Sequence, residues 1–230
     1  ADFNKALVGI DKVLLVSGMD DSSKRIQQHR NVIEAAKQNG VQKIVYTSIV
    51  GKDSDTTFSP VVKSNRQTEQ DIRTSGMQWV IGRNSIYIEP DIEYIDTYRK
   101  EGGIVNSAGK GKCGYISRNE LSFAYSKMLL EEKHHGRTYN LSGNPISQQE
   151  LAEAINNVYG TQLSYTAISA EAYEKERKEA LGDFLGSIIA DIYAGIQQGA
   201  YDITSDFERA AGRSAKSAFE MIKEIKNSTK

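Results

Sequence analysis

Two short apolar runs on either side of an amphipathic stretch limit what this chain can become. Lys12-Val13-Leu14-Leu15-Val16 and Ile44-Val45-Tyr46-Thr47 run on without polar alternation, so a strand made of either must be covered on both faces. Between them, Arg25 to Asn39 has helical apolar spacing and stops at Asn39-Gly40. Strand, crossover helix and strand in one direction make the unit of a parallel sheet. The unit repeats: Ser64 to Ser75 predicts a helix stopped by Gly76, and Trp79-Val80-Ile81-Gly82 predicts a third strand running into Arg83-Asn84. The expected fold class is α/β, a doubly wound, Rossmann-like parallel sheet with a smaller helix-rich C-terminal lobe.

At the N-terminal end, Phe3, Leu7 and Ile10 with Ala6 between them predict a helix face closed by Gly9. Lys12 to Val16 is too apolar for an exposed edge, so it is expected to be flanked on both sides in the folded protein. In a dinucleotide-binding sheet the glycine fingerprint stands in the first strand–helix turn, and no such fingerprint precedes Lys12. The expectation is therefore that the first strands of the sheet are missing from this chain. Ser22 or Ser23 is expected to cap the next helix, with Ile26, Val32, Ile33 and Ala36 facing the sheet. Gly51 to Pro60, rich in Asp, Ser and Thr, is expected to be a mobile loop.

Beyond Asn84 the rhythm changes. Ile92 to Lys100 and Asn119 to Glu132 predict helices, the second capped by Asn119, and Gly102 to Gly114 predicts a glycine and lysine loop whose Gly109 to Gly114 part is a hairpin or flap. Thr138 to Leu141 predicts a short strand, and Gln148–Val158, Ala170–Ala180, Phe184–Ile196 and Ser214–Ile225 predict amphipathic helices. The division expected is residues 1–84 for the sheet domain and 85–230 for the second lobe, with 138–142 returning to the sheet.

Composition excludes several function classes. Among 230 residues, 29 basic and 30 acidic side chains are interspersed, leaving no basic field for a phosphate backbone, so nucleic acid is not an expected partner. No apolar run approaches the ~20 residues of a membrane span, and no membrane association is expected. The single Cys113 and the scattered His29, His134 and His135 have no metal-ligand spacing. A soluble protein of a reducing cytoplasm is the expectation. Gly109-Lys110-Gly111-Lys112-Cys113-Gly114 lacks the spacing of a phosphate loop, and the charged run around Lys175 to Lys178 is that of a solvated helix face.

Several stretches carry a resemblance: Leu7 to Ser17; Gln28-His29-Arg30-Asn31-Val32-Ile33-Glu34-Ala35-Ala36-Lys37 with Gly40-Val41; Tyr46-Thr47-Ser48; Thr68-Glu69; Arg83-Asn84 with Tyr87; Ala108 to Gly111; Arg118-Asn119-Glu120; and Tyr139 to Gly143. In order and spacing they resemble the NmrA-like branch of atypical short-chain dehydrogenases, in particular bacterial quinone oxidoreductases and triphenylmethane dye reductases. The resemblance implies an NAD(P)H-dependent reductase that transfers hydride to quinone-like or conjugated small molecules, with NADP favoured over NAD although the deciding residues are not in the chain. The alternative is a non-catalytic dinucleotide-binding redox sensor that acts through a protein partner. A homodimer is compatible with either.

Ligands of open parallel sheets lie beyond the carboxyl ends of the strands. That makes Ser17 and Gly18, Thr47 and Ser48, and Arg83 and Asn84 the candidate cofactor-binding residues; for Arg83-Asn84 the resemblance implies the nicotinamide side. The Tyr–Lys dyad of typical short-chain dehydrogenases is absent, since Val50 stands four residues after Tyr46. Related enzymes carry Lys or His where this chain has Asn65, so nearby Lys63 is one catalytic candidate, and Tyr87, just past Asn84, is the other. The C-terminal helices, Phe184 to Ile196 among them, are expected to shape an apolar substrate pocket, with the loop from Gly51 to Pro60 as its lid.

Overall fold

The computed structural model describes residues 3–18, 20–51 and 59–228. Its first part runs α1 (Phe3–Ala6), β1 (Lys12–Val16), α2 (Ser22–Gln38), β2 (Lys43–Ile49), α3 (Ser59–Arg73) and β3 (Gln78–Asn84). The second runs α4 (Glu89–Glu93), α5 (Ile95–Glu101), β4 (Gly103–Asn106), β5 (Lys112–Cys113), α6 (Arg118–Leu130), β6 (Arg137–Leu141), β7 (Ile146–Ser147), α7 (Gln148–Tyr159) and β8 (Ser164–Ala167). It closes with α8 (Ala170–Leu181), α9 (Asp183–Gln197), α10 (Phe207–Ala211) and α11 (Ala218–Ser228).

The continuous apolar runs do form a parallel sheet, in the order β1-β2-β3-β6. Its register sets Val16 beside Thr47, Thr47 beside Gly82, Ile49 beside Asn84, and Asn84 beside Leu141. One face packs Leu15, Ile44, Tyr46 and Ile81 against Ile33 of α2 and Ile72 of α3. The other packs Val45, Val80 and Leu141 against Leu121, Ala124 and Met128 of α6, and this core continues into the second lobe. Because strand side chains alternate, Tyr46, Ser48 and Arg83 point to the α3 side, and Thr47, Gly82 and Asn84 to the α6 side. At the other end of β2, the buried Lys43 ammonium donates to the Glu131 carbonyl at 3.0 Å, closing the C-terminus of α6.

Several local expectations are corrected. The N-cap of α2 is Asp21, whose carboxylate accepts the N–H groups of Ser23 and Lys24 (both 3.1 Å) and the Ser23 hydroxyl (2.7 Å). The carboxylate is the stronger acceptor and takes the serine as a donor. Ser117, not Asn119, caps α6, its hydroxyl accepting the Glu120 N–H at 3.2 Å. The inner stripe of α2 carries Arg25 and His29 with Ile33 and Ala36; Val32, half-buried, packs on the sheet core as expected, while Ile26 is half-buried and not among the residues packed there. The first turns of α2 face polar residues of α3, which the apolar pattern of α2 alone does not reveal. In the second lobe the segment expected as a loop contains strand: β4 pairs in parallel with β8, and Lys112-Cys113 of the expected hairpin or flap forms β5, antiparallel with β7.

Among the described residues β1 is the edge of the sheet rather than a strand flanked on both sides, and Leu14 and Val16, on the same face as Val45 and Thr47, are 39% and 63% exposed. Most of the loop from Gly51 to Pro60, positions 52–58, lies outside the described residues. No described helix is long and apolar enough to cross a membrane, and no described group of three His, Cys, Asp or Glu side chains converges as metal ligands would.

Candidate active site at the strand ends

The turn after β1 is held by side chains from three elements. The Ser17 N–H donates to Thr47 Oγ1 at 2.8 Å, and Ser17 Oγ donates to Asn65 Oδ1 at 3.3 Å. The Tyr46 hydroxyl donates to the same Asn65 oxygen at 2.7 Å, while Asn65 Nδ2 donates to the Val61 carbonyl (2.9 Å), which fixes how the amide lies. The Gly18 N–H donates to His29 Nε2 at 3.2 Å, and His29 Nδ1 lies 2.9 Å from Thr68 Oγ1. Since Nε2 accepts, the ring proton sits on Nδ1 and the imidazole is neutral. Burial, reinforced by the Arg25 guanidinium, pushes His29 down to about 4, in keeping with that state. Burial likewise raises the Tyr46 phenol.

Gly18 does not need to be glycine for the protein's own sake. Its φ is outside the left-handed region, and among the described residues a Cβ there would meet only Gln28 Oε1, at 3.4 Å. The bare backbone leaves the turn open to close approach from outside.

At the end of β3, Asn84 is clasped on both sides. Its Oδ1 accepts from the Tyr125 hydroxyl of α6 at 2.6 Å, and its Nδ2 donates to the Tyr87 hydroxyl at 3.1 Å. An amide offers two lone pairs and two hydrogens, so Asn84 keeps one of each. Tyr87 is itself placed by a backbone bridge to Ile116, and the Arg118 guanidinium stands 5.8 Å from its ring. The hydroxyls of Thr47 and Tyr87 accept in these contacts, and their own protons have no acceptor among the described residues.

The α3 side of the same strand ends is committed to structure. Glu69, fully buried, accepts from Ser48 Oγ (2.7 Å), Arg66 (2.8 Å), Arg73 (2.9 Å) and the Arg83 fork (2.7 and 2.9 Å). Burial opposes its ionisation, but the Arg83 and Ser48 hydrogen bonds and the Arg66 charge outweigh it and hold the carboxyl below its ordinary range. Ser48 and Arg83 are thus side-chain partners of α3, while Thr47 and Asn84, one residue away from each, point to the opposite face. Lys63 lies on the exposed stripe of α3 with Gln67 and Gln70, two residues before the buried Asn65.

Reading the sequence missed His29, Tyr46 and Tyr125 as members of this cluster. One signal was available for Tyr125: Gly82, in the middle of a buried strand, marks a place where another group comes close. A Cβ at Gly82 would fall 2.7 Å from Tyr125 Cζ and 2.8 Å from Leu141 Cδ1.

The residues fit the nicotinamide and ribose end of a dinucleotide better than its pyrophosphate. Asn84 retains one donor and one acceptor for a carboxamide, and Gly18 offers an uncovered turn. The helix N-terminus behind β1, which would suit a phosphate, already holds Asp21, whose carboxyl is lowered to about 2 chiefly by its hydrogen bond from Ser23.

The chain is also similar to proteins already known. A family described as NAD(P)H-binding matches residues 1–122. Quinone oxidoreductase 2 of Escherichia coli (strain K12) is 28% identical over 230 residues, covering 99% of this chain and 79% of its own. The NAD(P)H azoreductase of Xenophilus azovorans is 26% identical over 203 residues, 83% of this chain and 69% of its own. Among solved structures, the Citrobacter sp. triphenylmethane reductase complexed with NADP(H) superimposes with a TM-score of 0.87 at 32% identity, covering 96% of this chain and 79% of that one.

Proposed function

The chain belongs to the NAD(P)H-binding family, in its NmrA-like branch of atypical short-chain dehydrogenases, and we propose that it is an NADPH-dependent reductase of quinone-like or conjugated small molecules. The observation that carries this reading is Asn84: a buried amide at a strand end, fixed from both sides, with one hydrogen and one lone pair left. That pair of vacancies matches a primary carboxamide, which donates and accepts in one plane. The bound reduced nicotinamide supplies the hydride. Asn84 would hold the carboxamide, and the Thr47 hydroxyl and the open turn at Ser17-Gly18 would hold the adjoining ribose. Tyr87, half-buried and with its proton uncommitted, donates that proton to the acceptor's oxygen or nitrogen and recovers one from solvent. Conjugated acceptors spread the added charge, so positioning carries more of the rate than a strong acid would, and the absent Tyr–Lys dyad is no obstacle. NADP(H) in the triphenylmethane reductase complex supports NADPH over NADH for this chain. Lys63, exposed on α3, is the weaker candidate for a catalytic role.

The test is steady-state consumption of NADPH, and separately of NADH, with a simple quinone. Turnover is expected to be faster with NADPH, to fall about tenfold or more in Asn84→Ala, equivalent to ~1.4 kcal/mol, and to be unchanged in Lys178→Ala. Tight binding without turnover of any quinone or dye would instead favour the redox-sensor alternative.

A further inference from the structure

The Asn84 amide is useful only if it stays in one orientation, and the structure supplies a device for that. Tyr125 reaches from α6 through the space left by the missing side chain of Gly82, and its ring is buried. Gly82 and Asn84 lie on the same face of β3, two residues apart, so the Tyr125 hydroxyl comes to rest 3.0 Å from the Gly82 carbonyl and 2.6 Å from Asn84 Oδ1. The single phenolic proton goes to the nearer of these two acceptors, Asn84 Oδ1, and only the oxygen of an amide can accept that bond. Nδ2 is thereby turned to the Tyr87 hydroxyl, at 3.1 Å, and a hydroxyl that accepts from an N–H is left to donate elsewhere.

We propose that Tyr125, admitted by Gly82, is a positioning residue of the reductase reaction: it orders a directional chain, Tyr125 to Asn84 to Tyr87, that leaves the Tyr87 proton aimed at the acceptor. Tyr125 stays a neutral donor throughout, because burial holds its phenol well above the ordinary value. The inference rests on the reductase reading above, and the experiment separates the two.

Tyr125→Phe removes the hydroxyl and keeps the ring; Gly82→Ala keeps the hydroxyl and displaces the ring. Both are expected to lower kcat for a quinone roughly 5–10-fold, the size of one lost buried hydrogen bond, with a smaller change in the acceptor KM. Because the effect passes through Tyr87, adding Tyr125→Phe to Tyr87→Phe is expected to cost nothing further. The Asn84 side-chain amide protons, followed by NMR, are expected to be resolved and slowly exchanging in the natural chain and averaged in Tyr125→Phe. An unchanged kcat in Tyr125→Phe, or additive losses with Tyr87→Phe, overturns the inference while leaving the reductase reading intact. If the natural chain turns over no quinone, the reductase reading fails, and the positioning claim then stands or falls on whether the Asn84 amide protons change in Tyr125→Phe.

Discussion

His29 ties the turn after β1 to the rest of the sheet through a bond that exists in only one protonation state. Its Nε2 accepts from Gly18; a second ring proton would set donor against donor. The groups facing it are Arg25 on its own helix, Thr68 of α3 and the Tyr46 ring of β2, 5.5 Å away edge-on, and none of them is an acid that would favour the charged ring. With a folded value of about 4 against 6.5 in the unfolded chain, the unfolded state binds more protons between these limits. The contribution of His29 to stability is therefore complete above pH 6.5 and is lost as pH drops towards about 4, by about 3 kcal/mol. Urea titrations across that window should show the natural chain losing this much stability relative to His29→Gln, a difference in which groups common to both chains cancel. Parallel profiles for the two would mean the ring is not held neutral. His29 was visible in the sequence only as an isolated histidine, because its partners lie 11 and 39 residues away.

At the scale of elements, α3 is the brace of the site. Through Glu69 it gathers Ser48 from the end of β2 and Arg83 from the end of β3. Glu69→Gln would leave three guanidinium groups around an uncharged amide, and a loss of about 3–5 kcal/mol in unfolding free energy is expected; a loss under ~1 kcal/mol would show the cluster to be solvent-screened. In α4 the sign is opposite. Among the described residues Asp91 is buried with only the Tyr98 hydroxyl as a hydrogen-bond donor (2.8 Å), and burial raises its carboxyl to about 6. The folded state then binds the extra proton, so ionised Asp91 burdens the fold increasingly from pH 3.8 upward and fully above about 6. Asp91→Asn is expected to raise the thermal midpoint at neutral pH and to change little in acid. The order of strands and helices was legible because unbroken apolar runs and helix stops are local signals. The helix caps and the α3 brace were not, since Asp21 competes with two neighbouring serines and Glu69 reads as an ordinary helical acid until the fold brings the arginines around it.

For the whole molecule, the sheet is covered on both faces at β2 and β3 and only partly at β1. The apolar run of β1 correctly signalled a parallel strand, but sequence could not say how far its α6 face is covered, where Leu14 and Val16 are exposed among the described residues. Val16→Ala is accordingly expected to cost under ~1 kcal/mol, against roughly 2–3 kcal/mol for the fully buried Val45→Ala; equal costs would mean Val16 is covered in solution. The strand ends named from sequence do converge, yet the site divides by side-chain alternation, with Thr47 and Asn84 on one face and Ser48 and Arg83 on the other. No pattern of residue types distinguishes those pairs without the register. The measurement that bears most directly on the central claim is a single turnover: protein loaded with NADPH, or with NADPH deuterated at the transferred position, mixed rapidly with a simple quinone while the reduced nicotinamide signal is followed. A quinone-dependent loss of that signal, slower with deuterium and weakened in Asn84→Ala, is the predicted result; a tightly bound cofactor whose signal no quinone or conjugated dye changes would contradict it.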